Sequence, residues 1–124
     1  MRNWQDLWEE AAREERLRME GTSAEELLRQ VASGRYGSCY QVWGVLAGRT
    51  TLEAAGWILL GILEREPDPL QRYHCAAALL DLAGLASPTP ADLSARPGGM
   101  GDSLASLRGE LEARIGPPPA GGEA

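Results

Sequence analysis

The chain has 124 residues, a formal charge of −6 and a pI near 4.8. That length buries about two thirds of the unfolded surface, enough for one hydrophobic core without a disulfide or metal staple. The acidic balance repels phosphate backbones and anionic headgroups, which disfavours nucleic acid and membrane surfaces as partners.

Lysine is absent, so every side-chain cation apart from the single histidine is arginine, as a GC-rich, bacterial-type coding bias produces. Trp4, Asp6, Glu9 and Glu10 stand where a secretory signal needs basic residues and then an apolar core. The longest apolar stretch, 54–63, is too short to cross a bilayer. The expected location is cytoplasmic, with Cys39 and Cys75 reduced, and their separation matches no metal knuckle. No cofactor is implied.

Trp4, Leu7, Trp8 and Ala11 fall at i, i+3, i+4 and i+7 and predict a first amphipathic helix with Asp6, Glu10, Arg13 and Glu14 on its other face. Gly21-Thr22 interrupts it. Ser23 and Glu26 form a capping box that opens a short second helix with Leu27, Leu28 and Val31 inward, ended by Ser33-Gly34. Ser38 is the expected cap of a third helix bearing Cys39, Tyr40, Trp43, Leu46 and Ala47, with Gly48 at its stop. Thr50 and Glu53 read as a second capping box. The fourth helix then carries Leu52, Ala55, Ile58, Leu59, Ile62 and Leu63, widened by Trp57 and Leu60 so that it needs cover from two directions. Asp68 as N-cap, Pro69 at the first helical position and Gln71 at N3 start a fifth helix, which Gly84 closes. Residues 87–92 suggest a single helical turn and 96–99 a linker. A last helix from Asp102 has Leu104, Leu107, Leu111 and Ile115 in phase.

The expected fold is all-α: stacked antiparallel helical hairpins in a compact bundle. An N-terminal amphipathic helix occupies 1–20, two hairpins 23–84, a linker and C-terminal helix 85–115, and a disordered tail 116–124.

At an offset of 36, Ser38-Cys39-Tyr40 aligns with His74-Cys75-Ala76, and Leu46-Ala47-Gly48 with Leu82-Ala83-Gly84. With Leu59-Leu60, Leu63, the turn Glu66-Pro67-Asp68-Pro69, Gln71-Arg72 and the alanine-rich run from Cys75 to Leu82, this resembles the HEAT-like repeat family, in about two units. The resemblance implies a scaffold whose inner surface binds a macromolecule. It transfers no reaction, since one fold hosts many functions. HEAT-like di-iron hydroxylases use His-Glu pairs, whereas the one histidine here, His74, is followed by Cys75. HEAT-like DNA glycosylases need a basic concave face, which the acidic balance opposes.

His74-Cys75 is the one pair that suggests nucleophile or metal chemistry, yet adjacent helical residues project about 100° apart, and Cys75 among alanines reads as a buried packing thiol. Cys39 reads the same way. Glu9-Glu10, Glu14-Glu15 and Glu25-Glu26 alternate with arginines at helical spacing and read as solvated faces. Gly98-Gly99-Met100-Gly101 lacks the preceding strand and following Lys of a phosphate loop.

Two Arg-Tyr pairs open the second helices of successive hairpins, and aromatics beside arginines are the stock of interface hot spots. Arg35, Tyr36, Arg72, Tyr73 and His74 are therefore the expected partner-binding residues. With no catalytic set recognisable, the leading expectation is a non-enzymatic protein-binding module whose partner is another protein or a second copy. The alternatives are a self-assembling subunit joined through the Trp4/Leu7/Trp8 helix or the last helix, and a small acidic inhibitor or immunity-type protein.

Overall fold

A computed structural model describes residues 3–86, 89–94 and 101–118, and of Ser94, Gly101 and Asp102 the backbone alone. Among the described residues the chain forms seven helices and no strand: α1 (Trp4–Glu20), α2 (Ala24–Ala32), α3 (Gln41–Arg49), α4 (Leu52–Arg65), α5 (Pro69–Ala83), α6 (Pro90–Ser94) and α7 (Gly101–Ile115). No helix among them is long and apolar enough to cross a membrane. The expected linker at 96–99, and the tail from residue 119 on, lie outside the described residues.

Several helix ends follow from local chemistry. Asn3, Ser23 and Asp68 each accept a backbone N–H bond in the first turn of α1, α2 and α5. Pro69 lies at the start of α5, and Gly84 adopts the left-handed conformation (φ 70°) that ends it. Thr89 and Asp92 exchange side chain-to-backbone bonds at the start of α6. Two expected caps are displaced. Thr51, not Thr50, caps α4 through Ala54 N–H, because Thr50 is still taken up in closing α3. Ser38 does not cap α3, which begins only after Tyr40.

The helices pack as two rows. α1, α3, α5 and α6 are successive neighbours in one; α2, α4 and α7 are neighbours in the other. Contacts of α2 with α3, α4 with α5 and α6 with α7 join the rows. This is an all-α bundle of stacked helical pairs, with the broad apolar surface of α4 covered by α2, α5 and α7 as its sequence requires. Leu59, Ile62, Leu63, Leu79, Leu107 and Leu111 are fully buried where the rows meet. The C-terminal helix comes so close that a Cβ on Gly56 would lie 3.0 Å from Ile115 Cδ1, and Trp57 Nε1 donates to Gly116 O at 3.2 Å.

Arginines tie neighbouring helices at their ends, where carbonyls lack intrahelical partners, two of them within a row and Arg114 between the rows. Arg49 donates to Met19 and Thr22 carbonyls after α1, Arg65 to Ala32 after α2, and Arg114 to Ala83 after α5.

The offset of 36 does not align equivalent positions throughout. Cys39 lies in the loop before α3, whereas Cys75 lies inside α5. Both are buried free thiols, and Cys75 Sγ donates to Leu59 O at 3.5 Å.

Candidate protein interface

The direction of α1 follows from its two ties to α3. Glu15 meets the start of α3, while Arg49 at the end of α3 reaches the last carbonyls of α1. The two helices therefore run the same way. The residues ahead of Ala12, about 12 Å of helix at 1.5 Å per residue, extend beyond the start of α3 as an arm.

Glu15 is the anchor. Its side chain is 3% exposed. Its carboxylate accepts Ser38 N–H at 2.9 Å, Cys39 N–H at 3.0 Å and Gln41 N–H at 3.3 Å. Those amides lie between two left-handed residues, Gly37 (φ 84°) and Tyr40 (φ 61°), which turn the loop so that its N–H groups face one carboxylate, as in an anion-binding nest. A Cβ at position 37 would lie 2.9 Å from the Glu15 carboxyl carbon, so glycine is required there by space as well as by φ. The reading of Glu14-Glu15 as a solvated pair is thus corrected for Glu15. A sequence signal for this existed: Trp4, Trp8, Ala12, Glu15 and Met19 recur at the helical period, which puts Glu15 on the stripe that packs.

That stripe loses its cover where the arm leaves the bundle. Trp4 is 77% exposed, Leu7 51% and Trp8 38%. The start of α5 lies at the same end of the molecule, because Tyr40 stacks on His74 with ring centroids 4.9 Å apart and Trp43 Nε1 donates to Gln71 Oε1 at 2.8 Å. Leu70 and Tyr73, also on that first stretch of α5, are likewise exposed. Among the described residues, five of the six exposed large hydrophobic side chains therefore gather at one end of the bundle; Leu17 is the sixth.

The five expected partner-binding residues divide. Tyr73 is exposed, and His74 is half-buried between Tyr40 and the edge of Tyr73. Arg35 is exposed and donates to Ser33 Oγ. Tyr36 and Arg72 are buried, and the structure brings them together on the turn after α4. Tyr36 OH donates to Glu66 Oε1 at 2.8 Å, and its ring lies against Trp43. Arg72 Nη1 donates to the carbonyls of Glu66 and Pro67. The two side chains hold that turn from inside, which leaves Arg35, Tyr73 and His74 as the accessible members of the set. Burial, with the Glu66 contact second, pushes the Tyr36 hydroxyl up to about 12, so it stays a neutral donor. Burial also raises the Cys75 thiol, which keeps it protonated and inert.

Between α3 and α5 runs an open groove of about 400 Å³, bordered by Trp43 and His74 at one end and Asp81 at the other. Gly44, Ala47, Ala77 and Ala78 floor it, and His74 and Cys75 point apart on either side of α5. Among the described residues no three His, Cys, Asp or Glu side chains converge as metal ligands. Trp4, Leu7 and Trp8 were recognised in the sequence as an apolar stripe, but their exposure depends on how α1 crosses α3 and is not written in the stripe itself.

No family model, curated protein or solved structure matches this chain.

Proposed function

We propose that this chain is a non-enzymatic protein-interaction module whose contact surface is the end of the bundle carrying Trp4, Leu7 and Trp8 on the arm and Leu70, Tyr73 and His74 on α5. The observation that carries this reading is the gathering of exposed apolar side chains at that end. Exposed apolar side chains scattered singly are ordinary, whereas a concentration of them that includes tryptophan and tyrosine marks an association surface. The charge of −6 favours partners that are not themselves strongly acidic. Within the same reading the two hairpins α2–α3 and α4–α5 are HEAT-like units; support comes from α2 adjoining α4 and α3 adjoining α5, the neighbour relation of stacked repeats.

The test is affinity capture from the native host with the wild-type chain and with Trp8→Glu/Tyr73→Glu, followed by calorimetry on the recovered partner. A specific partner bound by the wild type and weakened at least about tenfold by the variant, with an unchanged circular dichroism spectrum, is the expected result. A partner bound equally by both proteins places the surface elsewhere.

A further inference from the structure

We infer that α1 is a strap: it opens and closes as a unit, latched by the Glu15 carboxylate and pivoting at its Arg49-tied end, while the rest of the bundle stays folded.

The contacts of α1 set it apart from the other long helices. Of its 17 residues only Ala12 and Glu15 are buried, and its main neighbour is α3. Cys39 is 5% exposed without belonging to the core that the other helices share, and the side chain that binds its amide is Glu15. Cys75, by contrast, is fully buried inside that core with its Sγ on Leu59 O. Few buried apolar contacts, and a tie concentrated in one side chain, place local opening below global unfolding in free energy. Lifting α1 therefore uncovers Cys39 and leaves Cys75 where it is.

The latch and the loop it holds depend on each other. The carboxylate accepts the amides of Ser38, Cys39 and Gln41, and the loop keeps Gly37 and Tyr40 left-handed to present them. Once the carboxylate leaves, the left-handed Tyr40 loses that compensation, so latch and loop release together. The far end behaves differently. Met19 packs on the core, and Arg49 Nη1 donates to the carbonyls of Met19, Glu20 and Thr22, so this end stays attached when Glu15 lets go. The released loop is also the one that holds Tyr40 against His74, so the closed strap sets both the arm and the neighbouring edge of α5. That last consequence rests on the reading of the bundle end as a protein interface; the opening itself does not.

The experiment labels the two thiols of the native chain with iodoacetamide at a series of low urea concentrations. Mass spectrometry reports each cysteine, and each rate is divided by its rate in the unfolded chain. Cys39 is expected to react at least about tenfold faster than Cys75 and with a weaker urea dependence, because its opening exposes less surface. Glu15→Gln keeps the size of the side chain and removes its charge, and should speed Cys39 at least about tenfold. Ile62→Val takes one methyl group from the core, so it should speed Cys75 several-fold and leave Cys39 unchanged. Should Glu15→Gln fail to fold, Gly37→Ala displaces the carboxylate from the loop side, where the added Cβ would lie 2.9 Å from the carboxyl carbon, and the same acceleration is expected. Equal wild-type rates for the two thiols, with one urea dependence, would show that α1 leaves only when the whole chain unfolds and would overturn the strap. A Cys39 rate that Glu15→Gln does not change, or that follows Cys75 in Ile62→Val, would overturn it as well. No partner enters the measurement, so the strap can fail while the interface reading stands, and the reverse.

Discussion

Glu15 shows how one residue can position a helix. Its carboxylate satisfies three backbone amides ahead of and at the start of α3, and hydrogen bonds to a charged acceptor are stronger than neutral ones. The left-handed Tyr40 has a conformational cost of about 1–2 kcal/mol, which the nest offsets. Glu15→Ala should therefore destabilise the chain by about 2–4 kcal/mol in urea unfolding, since it leaves those amides without their acceptor. A loss below about 1 kcal/mol would mean that α1 is held by packing alone. Alkaline pH tests two other buried groups. Cys75 and Tyr36 are acids whose folded values lie above 9.0 and 10.0, so the fold favours their neutral forms. Their stabilisation is complete below those unfolded values and is lost as pH rises, from about pH 9 for Cys75 and across about 10 to 12 for Tyr36. Cys75→Ala should shift the onset of alkaline destabilisation upward by about one pH unit, measured as the urea midpoint relative to its own value at about pH 8. An unchanged onset would show that the thiol contributes nothing to the pH dependence.

At the scale of elements, α1 and α4 are opposites. α4 is apolar nearly all round and is covered by α2, α5 and α7; its Leu59 and the facing Leu79 of α5 are fully buried. Leu59→Ala and Leu79→Ala should each cost about 2–5 kcal/mol in chemical denaturation. α1 buries only Ala12 and Glu15 below the level of intermediate exposure, and its arm contributes little to folding. Trp4→Glu should therefore change stability by less than about 0.5 kcal/mol, the range of surface substitutions. A large loss there would place Trp4 in a packed site. The Ser23 cap of α2, the proline turn and the closing glycine of α5 were legible because each acts within four or five residues of chain, whereas the cap of α4 falls on Thr51, one residue past the expected Thr50. The start of α3 was not, because its cap comes from Glu15, more than twenty residues earlier, and the local Ser38 was the competing choice.

For the molecule as a whole, the two rows share one core that extends from Leu27 in α2 to Leu93 in α6 and Leu111 in α7. Unfolding should accordingly be a single transition, with far-ultraviolet circular dichroism and tryptophan fluorescence giving the same midpoint. A separate early loss of helix would show that α6 and α7 form an independent unit. Arginine's exclusive use as the long cation has a structural counterpart at this scale. Arg49, Arg65 and Arg114 each span from one helix to the terminal carbonyls of another, a reach and fork geometry that suit guanidinium. The fold puts these arginines to use at the ends of α1, α2 and α5.

Hydrophobic period and capping chemistry act over a few residues, so the helical periods, most of the breaks between helices, the all-α class and the core of the α4–α5 hairpin are legible in the chain. Which polar residues went inside was settled by tertiary contacts, with the helical phase of Glu15 the one hint in the chain. Tyr36 and Arg72 resemble exposed hot-spot residues in the chain, yet Glu66 and the turn carbonyls draw them in; Glu15 resembles its solvated neighbours, yet three amides from a distant loop enclose it. The candidate surface was decided the same way. A stripe of Trp4, Leu7 and Trp8 reads identically whether it is covered or bare, and only the crossing of α1 over α3, fixed by contacts at Glu15 and Arg49, carries it past the end of the bundle.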